Sequence, residues 1–81
     1  MHEQEKAKLQ SKILEHYQTL EITSEADRQK LQEIITGCSS LEAMTEKELR
    51  LLAELLEDLT LEPKAFQAFT LKYLLKLAKR T

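Results

Sequence analysis

The sequence predicts an all-α fold, a small single-domain bundle of four helices over residues 1–81. Sixteen residues are Leu and four are Ile, while Val, Asn and Trp are absent, and this composition favours helices over strands. One Gly and one Pro are too few for the frequent turns of an all-β fold. Apolar residues recur at helical spacing in four segments, and we expect helices at about residues 2–20, 25–36, 46–59 and 63–79.

The first helix has an apolar side on which Leu9, Ile13 and Tyr17 recur every four residues. The segment EITSEAD then interrupts the pattern. Thr23 or Ser24 is a good cap for the second helix, because either hydroxyl can accept a hydrogen bond from an unpaired N–H of the first turn. We therefore expect the second helix to begin directly after this segment.

The second helix is expected to end at the only glycine, Gly37, because the residue after a helix often adopts a left-handed conformation that glycine accepts without strain. In the connector CSSLEAM, Ser39 and Glu42 have the spacing of a capping box around one helical turn. Thr45 and Glu48 repeat this spacing before the third helix. The apolar arc of the third helix covers about 200°, which is wide enough to contact two neighbours.

The fourth helix is expected to begin with Pro63, whose missing N–H would be unpaired at that position anyway. We expect it to form an antiparallel hairpin with the third helix across the segment TLEP. It carries two apolar stripes. The aromatic stripe consists of Phe66, Phe69, Tyr73 and Leu77, and the leucine stripe of Ala68, Leu71, Leu75 and Ala78. Lys72, Lys76 and Lys79 lie between them.

The expected core combines the apolar sides of all four helices, including the aromatic stripe. Its predicted members are Leu9, Ile13, Tyr17, Leu31, Ile34, Ile35, Leu49, Leu52, Leu55, Leu56, Phe66, Phe69, Tyr73, Leu74 and Leu77. The leucine stripe is then either covered by the first two helices or left over, because a chain of this size has little further surface with which to cover it.

Charge is divided unevenly along the chain. Residues 1–62 hold fourteen acids and seven bases, a net charge of −7, whereas residues 63–81 hold five bases and no acid, a net charge of +5. Three interpretations are open. The basic helix packs on the acidic helices of its own chain, binds an acidic protein surface, or binds nucleic acid or an anionic membrane.

A nucleic-acid interface is the less favoured of these interpretations. Few cations lie on one helix beside a strongly acidic remainder, which is a poor footprint for phosphates. A helix-turn-helix around Gly37 is disfavoured, because Glu42, Glu46 and Glu48 would face the nucleic acid. A membrane role is not expected, since no apolar run exceeds four residues and the aromatic stripe is assigned to the core.

Residues for catalysis or ligand binding are sparse, so we expect no enzyme, no catalytic residue, no metal, no cofactor and no small-molecule substrate. His16 has no metal-ligand partner three or four residues away, and neither Glu-x-x-His nor H-E-x-x-H occurs. Cys38 follows the negative end of the second helix, which does not favour a reactive thiolate. A single cysteine forms no internal disulfide, so we expect a cytoplasmic protein.

The function that the sequence favours is a small protein-interaction or regulatory module that acts through helix-face contacts. The predicted contact residues are the leucine stripe and its lysine rim, namely Ala68, Leu71, Lys72, Leu75, Lys76 and Lys79. The expected partner is a protein, and a second copy of the chain, giving a homodimer, is one candidate. The alternative is a nucleic-acid-binding protein that uses the basic C-terminal helix.

Overall fold

The computed structural model describes the backbone of residues 2–79 and the side chains of residues 4–77. Within this range it contains four helices and no strand: α1 (His2–Thr19), α2 (Glu25–Thr36), α3 (Glu46–Thr60) and α4 (Lys64–Lys79). The predicted all-α bundle of four helices is confirmed, and each helix begins and ends within one residue of its expected boundary. Helical periodicity and capping residues together account for this agreement.

Helix packing differs from the expected arrangement in one respect. α1 packs along α3, and α2 contacts both α3 and α4. The short connection over residues 61–63 leads from α3 into α4. We expected α4 to form a hairpin with α3, but it packs mainly on α2. The reason is that the fully buried side of α3, with Leu49, Leu52 and Leu56, is already used in the core with α1.

α1 ends in a conformation that the sequence did not reveal. Glu21 has a φ of 60°, in the left-handed region that usually selects glycine. The Ile22 N–H donates to the Tyr17 carbonyl oxygen at 2.8 Å, and the Glu21 N–H donates to the Gln18 carbonyl oxygen at 3.1 Å. These two bonds form a Schellman motif. The motif turns the chain so that Ile22 is buried in the core.

The caps of α2 and α3 follow the predictions. The Ser24 hydroxyl accepts from the Asp27 N–H at 3.4 Å, and Gly37 ends α2 with a φ of 81°. At α3, the Glu48 N–H donates to the Thr45 hydroxyl at 3.2 Å and the Thr45 N–H donates to the Glu48 carboxylate at 2.9 Å. This is a complete capping box, so two otherwise unpaired N–H groups are satisfied.

The connection between α3 and α4 is held by one side chain. The Pro63 carbonyl oxygen accepts from the Gln67 N–H at 3.0 Å, which places Pro63 one residue before the helix rather than in it. The Gln67 side-chain amide donates to the Thr60 carbonyl oxygen at 3.2 Å and to the Glu62 carbonyl oxygen at 2.8 Å. Carbonyls at the end of α3 thereby gain partners.

The core lies mainly between α1, α2 and α3. Its buried apolar side chains are Ile13, Tyr17, Leu20, Ile22, Leu31, Met44, Leu49, Leu52, Ala53 and Leu56. Leu71, Leu74 and Leu75 of α4 are half-buried against this set. Among the described side chains of α4, none is fully buried. α4 is therefore the most peripheral of the four helices.

The predicted assignment of the aromatic stripe to the core is wrong. Phe66, Phe69 and Tyr73 are 61%, 71% and 56% exposed, and Leu77 is also exposed. α4 docks with its Leu71, Leu74 and Leu75 side on α2, so the aromatic side faces away from the core. Leu55, also predicted as core, is 44% exposed on α3.

Candidate interaction surface on α4

The exposed apolar surface of α4 is the aromatic stripe, which is continuous along the helix because its members are three or four residues apart. Leu14 and Leu61 are exposed singly elsewhere, and Leu51 and Leu55 form a smaller exposed leucine pair on α3. Single exposed leucines are ordinary on protein surfaces, whereas neighbouring exposed aromatic side chains form a patch. The stripe is therefore the surface of this molecule that most resembles a contact site.

The structure separates the predicted contact residues into two groups. Leu71 and Leu75 are half-buried against the core, so the expectation that the leucine stripe is left over does not hold for them. Ala68, Lys72 and Lys76 are exposed. The side chain of Lys79, like that of Ala78, lies outside the described residues. Binding of a partner through these six residues remains a prediction.

A groove lies beside the stripe, between α2, α3 and α4. Its volume is about 540 Å³, and its apolar wall includes Ile35 of α2, Leu59 of α3 and Leu74 of α4. Phe66 lines the groove and also belongs to the aromatic stripe, so the two apolar surfaces are continuous. Asp58 and Glu62 add carboxylates to the groove lining, on its α3 side.

Opposite charges border the two sides of this surface. Thr70 and Leu74 line the groove, on one side of the aromatic stripe. Because successive residues of a helix are about 100° apart, Lys72 and Lys76 lie on the opposite side of the stripe. The basic edge of the surface is thus formed by the lysines, and the acidic edge by Asp58 and Glu62 of the groove. An apolar centre separates them.

The basic helix is not tied to the acidic helices by direct ion pairs in the described part of the chain. The exposed ion pairs found there join Arg50 to Glu46 at 2.8 Å within α3 and Arg50 to Glu5 of α1 at 3.9 Å. Among the side chains that the structure describes, no such pair involves Lys64, Lys72 or Lys76. The observed packing of α4 therefore consists of apolar contacts by Leu71, Leu74 and Leu75, without a direct ion pair among the described residues.

A buried polar network joins α1, α2 and the connector that follows α2. The Tyr17 hydroxyl donates to the Gln32 side-chain oxygen at 2.9 Å, and the Gln32 amide donates to the Ser39 carbonyl oxygen. Arg28 lies over the Tyr17 ring, 5.0 Å from its centroid, and its Nε donates to the Ile22 carbonyl oxygen at 2.7 Å. The sequence indicated a buried Tyr17 but gave no signal for Gln32, because a lone glutamine is usually exposed.

Burial raises the pKa of Tyr17 above its ordinary value, although the charge of Arg28 acts in the opposite direction. A phenol that keeps its proton so firmly is poorly suited to proton transfer near neutral pH. Its hydrogen bond to Gln32 and the stacked Arg28 fix how α1 meets α2. We interpret the network as structural.

The residues considered for catalysis do not converge. Cys38 is half-buried, and its thiol donates to the Ser40 carbonyl oxygen at 3.4 Å. Within the described residues, no three His, Cys, Asp or Glu side chains are grouped closely enough to hold a metal ion. Across that same range, no helix combines the length and hydrophobicity that a membrane span requires.

The fold and its exposed face define a class, that of small all-α bundles with an uncovered apolar helix face. Comparisons with protein-family models, curated proteins and solved structures found no match to this chain. The geometry and charge of the exposed surface are therefore the basis for assigning a function.

Proposed function

We propose that this protein is a small, non-enzymatic protein-interaction or regulatory module that acts through the exposed face of α4. The observation that carries the proposal is the exposure of the aromatic stripe while the opposite side of the same helix packs on α2. Leaving several large apolar side chains in water is unfavourable, and a partner that covers them gains the free energy of their burial.

The composition of the stripe supports contact with a protein. Phe and Tyr bring large contact area with few rotatable bonds, so little conformational entropy is lost when they are buried. Residues of this kind are enriched in the cores of protein interfaces, whereas lysines are more typical of the rim. Lys72 and Lys76 occupy that rim position here.

Site-specific photo-crosslinking tests the proposal. We expect benzoylphenylalanine at position 69 to form covalent adducts with a protein in cells that express the variant. A control variant with benzoylphenylalanine in place of Gln18, which is exposed on α1, should form no adducts. Adding Tyr73→Glu to the position-69 variant should abolish the adducts, because it places a charge in the same apolar face. Equal adduct yields at positions 69 and 18 would contradict the proposal.

The second candidate, nucleic-acid binding, is favoured by one observation. Exposed Lys72 and Lys76 lie beside exposed Phe69 and Tyr73, and cations interleaved with aromatic rings can bind single strands by phosphate contact and base stacking. Fluorescence anisotropy with labelled oligonucleotides tests this candidate. Binding that weakens steeply between about 50 and 200 mM salt would favour it over the protein-interaction module.

A cytoplasmic location is part of the same proposal. It is supported by Cys38, which as the only cysteine cannot form an internal disulfide and is therefore compatible with a reducing compartment. Fractionation of cells that express a tagged full-length chain tests it, and recovery of the protein outside the cytoplasmic fraction would contradict it.

A further inference from the structure

We propose that the partner that covers the exposed face of α4 is a second copy of this chain. The two copies are paired about a two-fold axis that lies between them and is parallel to α4. This inference rests on the proposed function and names its partner. It places the aromatic stripes of the two copies against each other, with their α4 helices parallel. Two features of the described surface support a second copy, namely its charge pattern and its area.

The charge pattern is self-complementary. The surface has a basic edge, Lys72 and Lys76, and an acidic edge, Asp58 and Glu62, on opposite sides of an apolar centre. A two-fold rotation about an axis parallel to α4 exchanges left and right across the interface, so the basic edge of each copy lies on the same side of the interface as the acidic edge of the other. An antiparallel pairing of the helices would instead set like charges opposite each other.

The exposed aromatic stripe supplies a large part of the area that a dimer requires. Since Phe and Tyr side chains bury about 150–250 Å² each, the exposed parts of the aromatic stripe amount to roughly 400 Å². Two copies together supply about 800 Å² of apolar area from the stripes alone. The groove and the charged edges extend this toward the roughly 1,200 Å² at which specific interfaces begin.

The molar mass in solution tests the proposal directly. We expect light scattering to show a concentration-dependent rise toward twice the chain mass of 9.4 kDa. Tyr73→Glu should return the molar mass to that of one chain, because it buries a charge in the centre of the interface. Gln18→Glu adds the same charge at an exposed site on α1 and should leave the dimer unchanged. Circular dichroism should show helical folding in both variants.

Reversal of the charged edges tests the pairing geometry. The variant Lys72→Glu/Lys76→Glu has two acidic edges, and the variant Asp58→Lys/Glu62→Lys has two basic edges. Each should dimerise about three- to tenfold more weakly than the unaltered chain, because like charges face each other. An equimolar mixture of the two should recover the affinity as a heterodimer. Added salt should weaken the unaltered dimer, whereas an antiparallel pairing would be strengthened by it.

The outcomes separate this inference from the proposed function. A chain that stays monomeric up to millimolar concentration, or a Tyr73→Glu variant that is folded and still dimeric, overturns the proposal that a second copy covers the exposed face of α4. If the position-69 crosslinker then captures a different protein, the interaction module stands and only its partner changes. If it captures nothing, both proposals fail. Charge-reversed variants that do not recover affinity on mixing overturn the parallel arrangement.

Discussion

At the scale of single residues, the most informative position is Tyr17, which was expected in the core and also contributes a polar bond there. Its hydroxyl is the hydrogen-bond donor to Gln32, which is only 4% exposed. A buried polar group that loses its partner is destabilising, because water cannot replace the bond. The specificity of the α1–α2 contact therefore depends on a group that hydrophobic patterning does not reveal.

Replacing Tyr17 with Phe should lower the free energy of unfolding by about 1–3 kcal/mol, because the Gln32 oxygen loses its donor while the ring still fills its space. Thermal unfolding followed by circular dichroism measures the effect. Tyr73→Phe is the matched control, since the Tyr73 ring is exposed and its loss of a hydroxyl should change the unfolding midpoint very little. Equal midpoints for the two variants would refute the structural role of the network.

The raised pKa of Tyr17 predicts a loss of stability in alkali. The unfolded chain releases the phenolic proton near the ordinary pKa of 10.0, whereas the folded chain retains it to higher pH. The contribution of this residue is therefore fully present below that pH and declines as the pH rises above it. Chemical denaturation at stepped alkaline pH should show a steeper decline for the unaltered chain than for Tyr17→Phe, which lacks the titrating group.

At two positions with positive φ, introducing a glycine and removing one should have opposite effects on stability. Glu21→Gly should raise the free energy of unfolding by about 0.5–1 kcal/mol, because glycine adopts the left-handed conformation without strain. Gly37→Ala should lower it by about 1 kcal/mol or more for the converse reason, although the space around Gly37 is open. Urea denaturation of both variants checks the signs, and a stabilising Gly37→Ala would contradict the assigned conformation.

At the scale of elements, the helices differ in how firmly they are held. α1 and α3 face each other with fully buried side chains, including Ile13 and Leu52, whereas the described side chains of α4 are half-buried at most. Local stability follows buried apolar contact, so the last helix should open more readily than the others. This is also the helix that carries the proposed interaction surface.

Amide hydrogen exchange at a concentration where the protein is monomeric should show this difference. We expect the amides of α4 to exchange faster than those in the middle of α1 and α3, because opening α4 alone exposes little buried surface. Raising the protein concentration should slow exchange in α4 if a second copy covers it. Uniform protection of all four helices in the monomer would contradict the peripheral position of α4.

At the scale of the whole molecule, stability depends on a core that is small and lies to one side. Two leucines of α3 make this testable. Leu52→Ala should destabilise the fold by about 2–5 kcal/mol because Leu52 is fully buried, and Leu55→Ala by less than about 1 kcal/mol because Leu55 is 44% exposed. Thermal denaturation of the two variants measures the difference, and similar losses would mean that the core extends across α3.

Much of the architecture was predictable from local signals. Ser24, Gly37 and the Thr45–Glu48 pair marked helix ends because capping depends on residues close in sequence. The end of α1 was less clear, since Glu21 adopts a conformation that its residue type does not announce. Met44, in the connector between α2 and α3, is fully buried in the core.

The sequence by itself determined the number of helices, their boundaries and the amphipathic character of α3, because periodicity and capping are local properties. It also placed two apolar stripes and a lysine edge on α4. Only the tertiary structure decided which stripe is exposed, because both have helical spacing and the choice depends on how α4 docks on α2. That docking is set by the shapes of distant side chains, which no spacing within one helix encodes.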